Sequence, residues 1–416
     1  MAIKSARNDP NDRGRHAEPG ARSARPGEPL ARVIAFELGE WDVIGEDLRL
    51  ELEGERTVLV GRNGAGKSAL LDGIVGSAAA AVGPLPPHYI GPKRFRCEID
   101  TDRGRFAYQF HCSEETEREA PQDSELGGPS TLIWTEVCSS LDDESKEIWR
   151  VDRGTASFRT KPQQVEMKFQ PTVGALSVVP SRGLPIELGI FRRLFRSIVR
   201  VRAGVPRAVE ERELSLITKK KDEKYWSVLK RDRVNSTTVG IMNWWQNEPD
   251  RFDEFVSVGQ RIGIFAKVDP MVIPRSADSG GKPGDVTDFG FVSVDSVDIG
   301  MLSDGTLRVM ELLRYILSPV QRLLLIEEPE TSLHPGLLER VLAELKAYSA
   351  RHQTILATHS PQVVSSALPR ELRLLTRTNG RTELRTLTDA QTSRVADYLC
   401  DEGHLGDFVF SGAADD

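Results

Sequence analysis

The stretch Gly61–Ser68 reads Gly-Arg-Asn-Gly-Ala-Gly-Lys-Ser and satisfies every fixed position of G-x-x-x-x-G-K-S/T. It constrains the fold more than any other feature because its flanks agree with it. Arg56-Thr57-Val58-Leu59-Val60 precedes it as a short strand pattern. Ser68-Ala69-Leu70-Leu71-Asp72-Gly73-Ile74-Val75 follows with apolar residues at helical spacing, and Pro84 ends the pattern. Strand, glycine loop and helix together predict a phosphate cradle. Glycines allow a tight wrap, and backbone N–H groups and the helix N-terminus then converge on the anion. Arg62, Asn63, Gly64, Ala65, Gly66, Lys67 and Ser68 would line the phosphates. Lys67 would neutralise the β- and γ-groups, and Ser68 would ligate Mg²⁺.

A second constellation lies far downstream. Leu323-Leu324-Leu325-Ile326 is a continuous apolar run, the mark of a strand buried on both faces of a parallel sheet. It ends in Glu327-Glu328-Pro329-Glu330. Carboxylates at the C-terminal tip of such a strand stand at the ligand end of an open α/β sheet. Adjacent strand residues face opposite ways, so Glu327 and Glu328 are expected to have different tasks. Glu327 is assigned to Mg²⁺ and Glu328 to orienting or deprotonating the attacking water. Thr354-Ile355-Leu356-Ala357-Thr358 repeats the buried-strand pattern and ends at His359, placed to touch a γ-phosphate. Met301-Leu302-Ser303-Asp304-Gly305-Thr306 opens a helical pattern carrying Leu307, Met310, Leu313, Ile316 and Leu317. Ser303 and Gly305 at that helix start form another anion-receiving turn. The chain already has one cradle, so this turn is expected to serve a nucleotide held by a second subunit.

The spacing of these pieces sets the expected domains. Residues 1–30 are nearly devoid of apolar side chains, cannot offset the entropy of folding, and predict a flexible arm. Residues 31–187 are read as a first ATPase lobe containing the P-loop. Its antiparallel β layer comes from Arg94–Ile99, Arg105–His111, Leu132–Val137 and Ile148–Asp152. Residues 188–285 are read as a mainly helical insertion, since Phe191, Leu194, Phe195, Ile198 and Val199 recur at helical spacing. The insertion is basic. Gly189–Arg233 holds 14 Lys/Arg against 6 Asp/Glu, in a chain whose net charge is −7. That excess suits nucleic acid, an acidic partner, or a plain solvated helical face. Trp244-Trp245 are suited to base stacking or, more simply, to core packing. Residues 275–290 predict a mobile loop at the boundary. Residues 286–388 form the second ATPase lobe, with Asn379-Gly380 marking a hairpin, and 389–416 form a C-terminal helix and tail.

Composition narrows the class. Of 416 residues 39% are hydrophobic and 28% charged, as in globular chains. No apolar run approaches the roughly 20 residues that span a bilayer, and residues 1–30 lack the apolar centre of a secretory signal. The four cysteines form no C-x-x-C. A cytoplasmic location, no membrane partner and no structural zinc are therefore expected.

Taken in order, these stretches resemble the ABC-type ATPase head of the RecF/SMC-like class. They look most like the stand-alone bacterial AAA-domain ATPases related to overcoming-lysogenization-defect (OLD) nucleases. Gly61–Ser68 matches Walker A, Leu302–Thr306 the signature, Leu323–Glu328 Walker B, Ser332–Pro335 the D-loop position and His359 the switch histidine. The resemblance covers about residues 31–185 and 290–400. It implies an α/β fold, a P-loop NTPase of ABC-ATPase type with a mixed sheet, an antiparallel β layer and a helical insertion. It also implies ATP and Mg²⁺ as cofactors, and a homodimer or higher homo-oligomer closed over ATP. Ser303 and Gly305 of one subunit would then meet Walker A of the other.

The chain departs from the family pattern in places. Asp304 and Thr306 replace the Gly and Gln of the transporter-type signature, and Glu327 replaces the commoner Asp. No Q-loop glutamine is identifiable; Gln109 reads as a plain strand residue. The spacer from Ser68 to Leu302 is too short for a long coiled coil, and only about 57 residues follow His359, too few for a Toprim nuclease. The expected function is a Mg²⁺-dependent ATPase whose dimer is a nucleotide-controlled switch. Its partner would be a separate effector, a nuclease or toxin, in bacterial phage defence. A DNA-repair or DNA-maintenance ATPase using the basic insertion is the second reading, and a non-hydrolysing nucleotide-sensing scaffold the third.

Overall fold

The computed structural model describes residues 31–45, 47–83, 89–116, 130–143, 146–159, 164–170, 172–179, 185–202, 217–220, 224–228, 233–273, 287–319, 322–400 and 404–410. The expected arm (1–30), most of the expected loop (275–286) and the tail beyond Phe410 lie outside them. Strands β1 (Arg32–Gly39), β2 (Leu48–Glu51) and β3 (Arg56–Val60) lead into helix α1 (Lys67–Val82). Then come β4 (Arg94–Thr101), β5 (Gly104–Thr116), β6 (Ser130–Ser140), β7 (Glu147–Asp152), β8 (Thr155–Arg159) and β9 (Gln164–Lys168). Helices α2 (Ala175–Val178) and α3 (Ile186–Arg196) precede β10 (Ile198–Val201), β11 (Ile217–Lys220) and β12 (Ser227–Val228). Next are α4 (Arg233–Asn247), α5 (Pro249–Ile262), β13 (Val268–Ile273), β14 (Thr287–Val294) and β15 (Val297–Asp298). The chain continues with α6 (Asp304–Ile316), β16 (Leu323–Glu327), α7 (Pro335–Ala347) and β17 (Gln353–Thr358). It ends with α8 (Pro361–Ser365), β18 (Leu372–Thr378), β19 (Arg381–Arg385), α9 (Asp389–Cys400) and α10 (Leu405–Phe410).

The central sheet has the order β10-β16-β17-β3-β18-β19, parallel except for the β18–β19 hairpin at Asn379-Gly380. Its strands are apolar throughout because both faces are covered. Leu323 and Leu325 enter one core with Leu59, Ile355 and Ala357. Leu324 and Ile326 enter the other with Val58, Val60 and Leu356. The alternation of a strand thus feeds two separate cores, which is why a buried parallel strand shows no polar–apolar period. On the first face lie α1 and α3, with the antiparallel layer beyond; on the second lie α4, α5, α6 and α7.

The antiparallel layer is an eight-stranded sheet, β2-β1-β4-β5-β6-β7-β8-β9, and each expected segment falls on one of β4 to β7. Phe95, Tyr108, Phe110, Trp134 and Trp149 fill its inner face against Phe191 and Phe195 of α3. Glu136 is buried among them, and burial raises its carboxyl pKa even though Tyr108, Trp134 and the Ala175 N–H donate to it.

The span 188–285 is more mixed than the expected helical insertion. It holds most of α3, α4 and α5, but also β10, β11, β12 and β13. The last three join β14 and β15 in a five-stranded sheet. Ile198 and Val199 do not continue α3. Ser197 ends the helix, its N–H donating to the Arg193 and Leu194 carbonyls, and Ile198 begins the outer strand of the central sheet. The junction carries no Gly or Pro, and an Ile-Val pair suits the next helical turn as well as a strand, so periodicity ran through the boundary. Trp244 is buried against Phe255 as core, while Trp245 is partly exposed. Cys97, Cys112 and Cys138 are buried. Among the described residues no helix is long and apolar enough to cross a membrane.

Candidate functional site

The P-loop is held between β3 and α1. Gly64 and Gly66 take φ of +81° and +102°, left-handed conformations that bend the loop back over the helix. A Cβ at Gly66 would lie 2.5 Å from Thr382 Oγ1, so space as well as backbone demands glycine there. Lys67 is buried at the helix start, and its ammonium donates to the carbonyls of Gly61 (2.6 Å) and Arg62 (3.2 Å). Burial pushes the Lys67 pKa below the ordinary lysine value, opposed by Glu328, Glu330 and Glu327. Beside the loop a cavity of about 540 Å³ opens between Gly61–Ala65, the β18 segment Leu374–Arg377 and the end of α10. That is within the range of small-ligand sites.

Parallel pairing aligns the strand tips. Glu327 of β16 sits opposite Ala357 of β17, and Val60 of β3 opposite Thr358. The carboxylates, the P-loop and His359 therefore meet at one edge of the sheet. Ser68 donates its hydroxyl to Glu327 Oε1, and Arg200 donates to Glu327 Oε2 at 2.8 Å. Burial alone would raise the Glu327 pKa; the Ser68 and Arg200 bonds hold it below the ordinary value. A hydroxyl beside an ionised carboxylate is the hard-oxygen donor set that suits Mg²⁺. Among the described residues no group of three or more His, Cys, Asp or Glu is disposed to hold a metal.

Glu328 turns away from the strand with φ of +44°. Its N–H donates to the Ala357 carbonyl at 2.7 Å, and Thr331 Oγ1 donates to its Oε2 at 3.1 Å. His359 Nδ1 lies 3.7 Å from Glu328 Oε1 and 3.6 Å from Glu330 Oε1. Glu330 Oε1 also accepts from Thr358 Oγ1 (2.7 Å) and from the His359 N–H (3.3 Å). Glu330 thus positions the loop that carries the histidine.

The signature turn is organised on its own. Ser303 caps α6, accepting from the Thr306 N–H at 3.2 Å and lying 2.9 Å from Thr306 Oγ1. A Cβ on Gly305 would lie 2.5 Å from the carbonyl oxygen of Ser332, itself at φ +64°. Ser303 is exposed, and the described contacts of Ser303 and Gly305 run to Thr306 and Ser332 rather than to the P-loop.

Sequence reasoning missed Arg200, Asp72, Glu330 and Arg308. Arg200 was one of many cations in the basic run; only the β10–β16 register, Arg200 opposite Leu325, reveals its neighbour. Arg192 of the same run is also structural, donating to the carbonyls of Leu176 (2.6 Å) and Val179. Arg193 and Arg196 remain exposed. Arg308, 1% exposed, ties α6 to the backbone carbonyls of Arg202 and Glu327. Gln109 lies on β5 and accepts from Arg96 on β4 (3.0 Å).

The chain has a P-loop NTPase fold. Residues 209–365 match the family described as "AAA domain, putative AbiEii toxin, Type IV TA system". The match takes in the signature turn, the Glu327–Glu330 tip and His359. No curated protein matches the chain. Among solved structures it is similar to an SMC head domain from Thermotoga maritima (15% identity, TM-score 0.38, covering 86% of this chain and 99% of that one). It is also similar to an SmcHead bound to the C-winged helix domain of ScpA (11% identity, TM-score 0.43, 87% and 99% covered). A third is the Smc head domain with an extended coiled coil bound to the C-terminal domain of ScpA derived from Pyrococcus furiosus (10%, 0.40, 89% and 100%).

Proposed function

We propose that this chain is a Mg²⁺-dependent ATPase whose nucleotide-bound copies pair and act as a switch on a separate effector. The observation that carries the reading is the meeting of Ser68, Glu327, Glu328 and His359 at one edge of the sheet, beside the Lys67 loop. Mg²⁺ would supply charge neutralisation on the phosphates. Lys67 binds the phosphate chain, Ser68 and Glu327 hold the ion, and Glu328 orients or deprotonates water at the γ-phosphate. His359, steadied by Glu330, reaches the same phosphate. The helix start at Ser303, exposed at Ser303 and Asp304, would turn toward a phosphate held by another copy, with Gly305 behind it. The matched family's description names a putative toxin and a toxin–antitoxin system, which supports a chain that acts with a partner. The kinship with OLD proteins, the cytoplasmic location and the expected domain boundaries belong to this same reading.

The test is the Glu328→Gln variant in ATP and Mg²⁺, sized in solution. A dimer that reverts to monomer without ATP is expected. A monomer at saturating ATP sinks the switch, and normal turnover removes Glu328 from its role. Nucleotide binding with no turnover in the wild type, with effector or DNA added, selects the sensing scaffold. The DNA-maintenance reading draws support from exposed Arg193 and Arg196. Arg192 and Arg200 are unsuited to testing it, being committed to internal contacts. Salt-insensitive DNA binding, or no loss on reversing Arg193 and Arg196, counts against it.

A further inference from the structure

We propose that Arg200 is a built-in competitor of the divalent cation, a guanidinium that stands on Glu327 and is handed to Asp72 when the ion seats. The inference rests on reading Ser68 and Glu327 as the ion's protein ligands. β10 runs parallel to β16 with Arg200 opposite Leu325, so Arg200 emerges on the face that Leu325 and Glu327 share, over α1. Its side chain is 7% exposed. One terminal nitrogen donates to Glu327 Oε2 at 2.8 Å, and the other donates to Asp72 Oδ1 on α1. Nε is buried with no hydrogen-bond partner among the described residues.

The guanidinium is therefore shared between two carboxylates on different elements, each held by a different nitrogen. Glu327 is the more buried partner, with 13% of its side chain exposed against 47% for Asp72. Both Glu327 oxygens are engaged, Oε1 by Ser68 and Oε2 by Arg200. An ion seated on Ser68 and Glu327 adds two positive charges where a guanidinium already sits. In a half-buried site that repulsion is weakly screened. Asp72 is the available relief. It already accepts from Arg202 at 2.7 Å and is exposed enough to move. Arg200 thus keeps Glu327 neutralised in the absence of the ion and sets the ion's affinity by how readily it leaves.

Mn²⁺ binding to the full chain, followed by electron paramagnetic resonance at saturating ADP, reads this directly. Arg200→Gln is expected to bind Mn²⁺ about tenfold tighter, because the competing charge is gone. Asp72→Asn is expected to bind about threefold more weakly, and this effect should vanish in the double variant. Unchanged or weaker binding in Arg200→Gln overturns the proposal. So does an Asp72→Asn effect that persists at full size without Arg200. If Arg200→Gln does not fold, Arg200→Lys decides. Its ammonium cannot bridge both carboxylates, so Mn²⁺ should tighten about threefold, and no change overturns the idea. Lys67-dependent binding of fluorescent ADP without metal separates the two levels. Its absence removes the nucleotide site itself, whereas its presence beside an unaltered Mn²⁺ affinity removes Arg200 alone.

Discussion

Lys67, Glu328 and Glu330 each make a different prediction because each touches different atoms. Lys67 is a buried ammonium resting on two loop carbonyls, which phosphate oxygens would replace in the proposed function. Lys67→Ala should cost at least about 100-fold in nucleotide affinity, about 2.7 kcal/mol, by fluorescent-nucleotide titration. Retention within threefold would remove Lys67 from the phosphate site. Glu328→Gln should leave binding intact and slow turnover by about 10²- to 10³-fold, since only a carboxylate accepts the water's proton. Glu330→Gln keeps shape but weakens the grip on Thr358 and His359. Turnover should fall about tenfold with affinity unchanged. An equal loss of both would show that Glu330 holds the fold and not the histidine. The positions of Lys67, Glu327, Glu328 and His359 at the strand and loop ends were legible because each ends a contiguous signal: a glycine loop or a buried apolar strand. Glu330 stood in the same acidic turn, yet its partners lie 28 and 29 residues away on β17 and in the loop beyond.

Helix α6 is built to hold the signature turn in one place. Ser303 caps it, Arg308 pins it to the backbone of Glu327 and Arg202, and Gly305 lies flat against Ser332. The obstacle to a Cβ at Gly305 is a backbone carbonyl, which cannot swing aside like a side chain. Gly305→Ala should destabilise the fold by about 1–3 kcal/mol, by urea denaturation. Loss of nucleotide-driven pairing with stability unchanged would place the glycine at a subunit contact instead. The strand β10 shows the opposite case. Only Ser197 separates its four residues from α3, with neither Gly nor Pro at the junction, so it carries no local mark of the sheet it completes.

At the scale of the whole molecule, one buried histidine among the described residues has a pH consequence. His352, at the entry to β17, is 4% exposed, and neither ring nitrogen has a partner among the described residues. Burial lowers its pKa to about 4. The unfolded chain therefore binds a proton near pH 6.5 that the folded chain refuses until about pH 4. Stability contributed by the neutral ring is full above about pH 6.5 and is lost as pH falls toward 4, by about 3 kcal/mol. Glu327, with its pKa depressed, acts in the same direction at the acid end. His352→Phe should flatten the pH 4.5–7 dependence of the urea midpoint, and an unaltered slope would assign it to other groups. By itself the sequence determined the P-loop, the carboxylate tips and the two-faced central strands, because each is encoded in neighbours along the chain. The tertiary structure alone decided that β10 joins the central sheet and that Arg200, Asp72 and Glu327 share one guanidinium. Those pairings depend on strand register and on which face of α1 meets the sheet, quantities set by packing between segments more than a hundred residues apart.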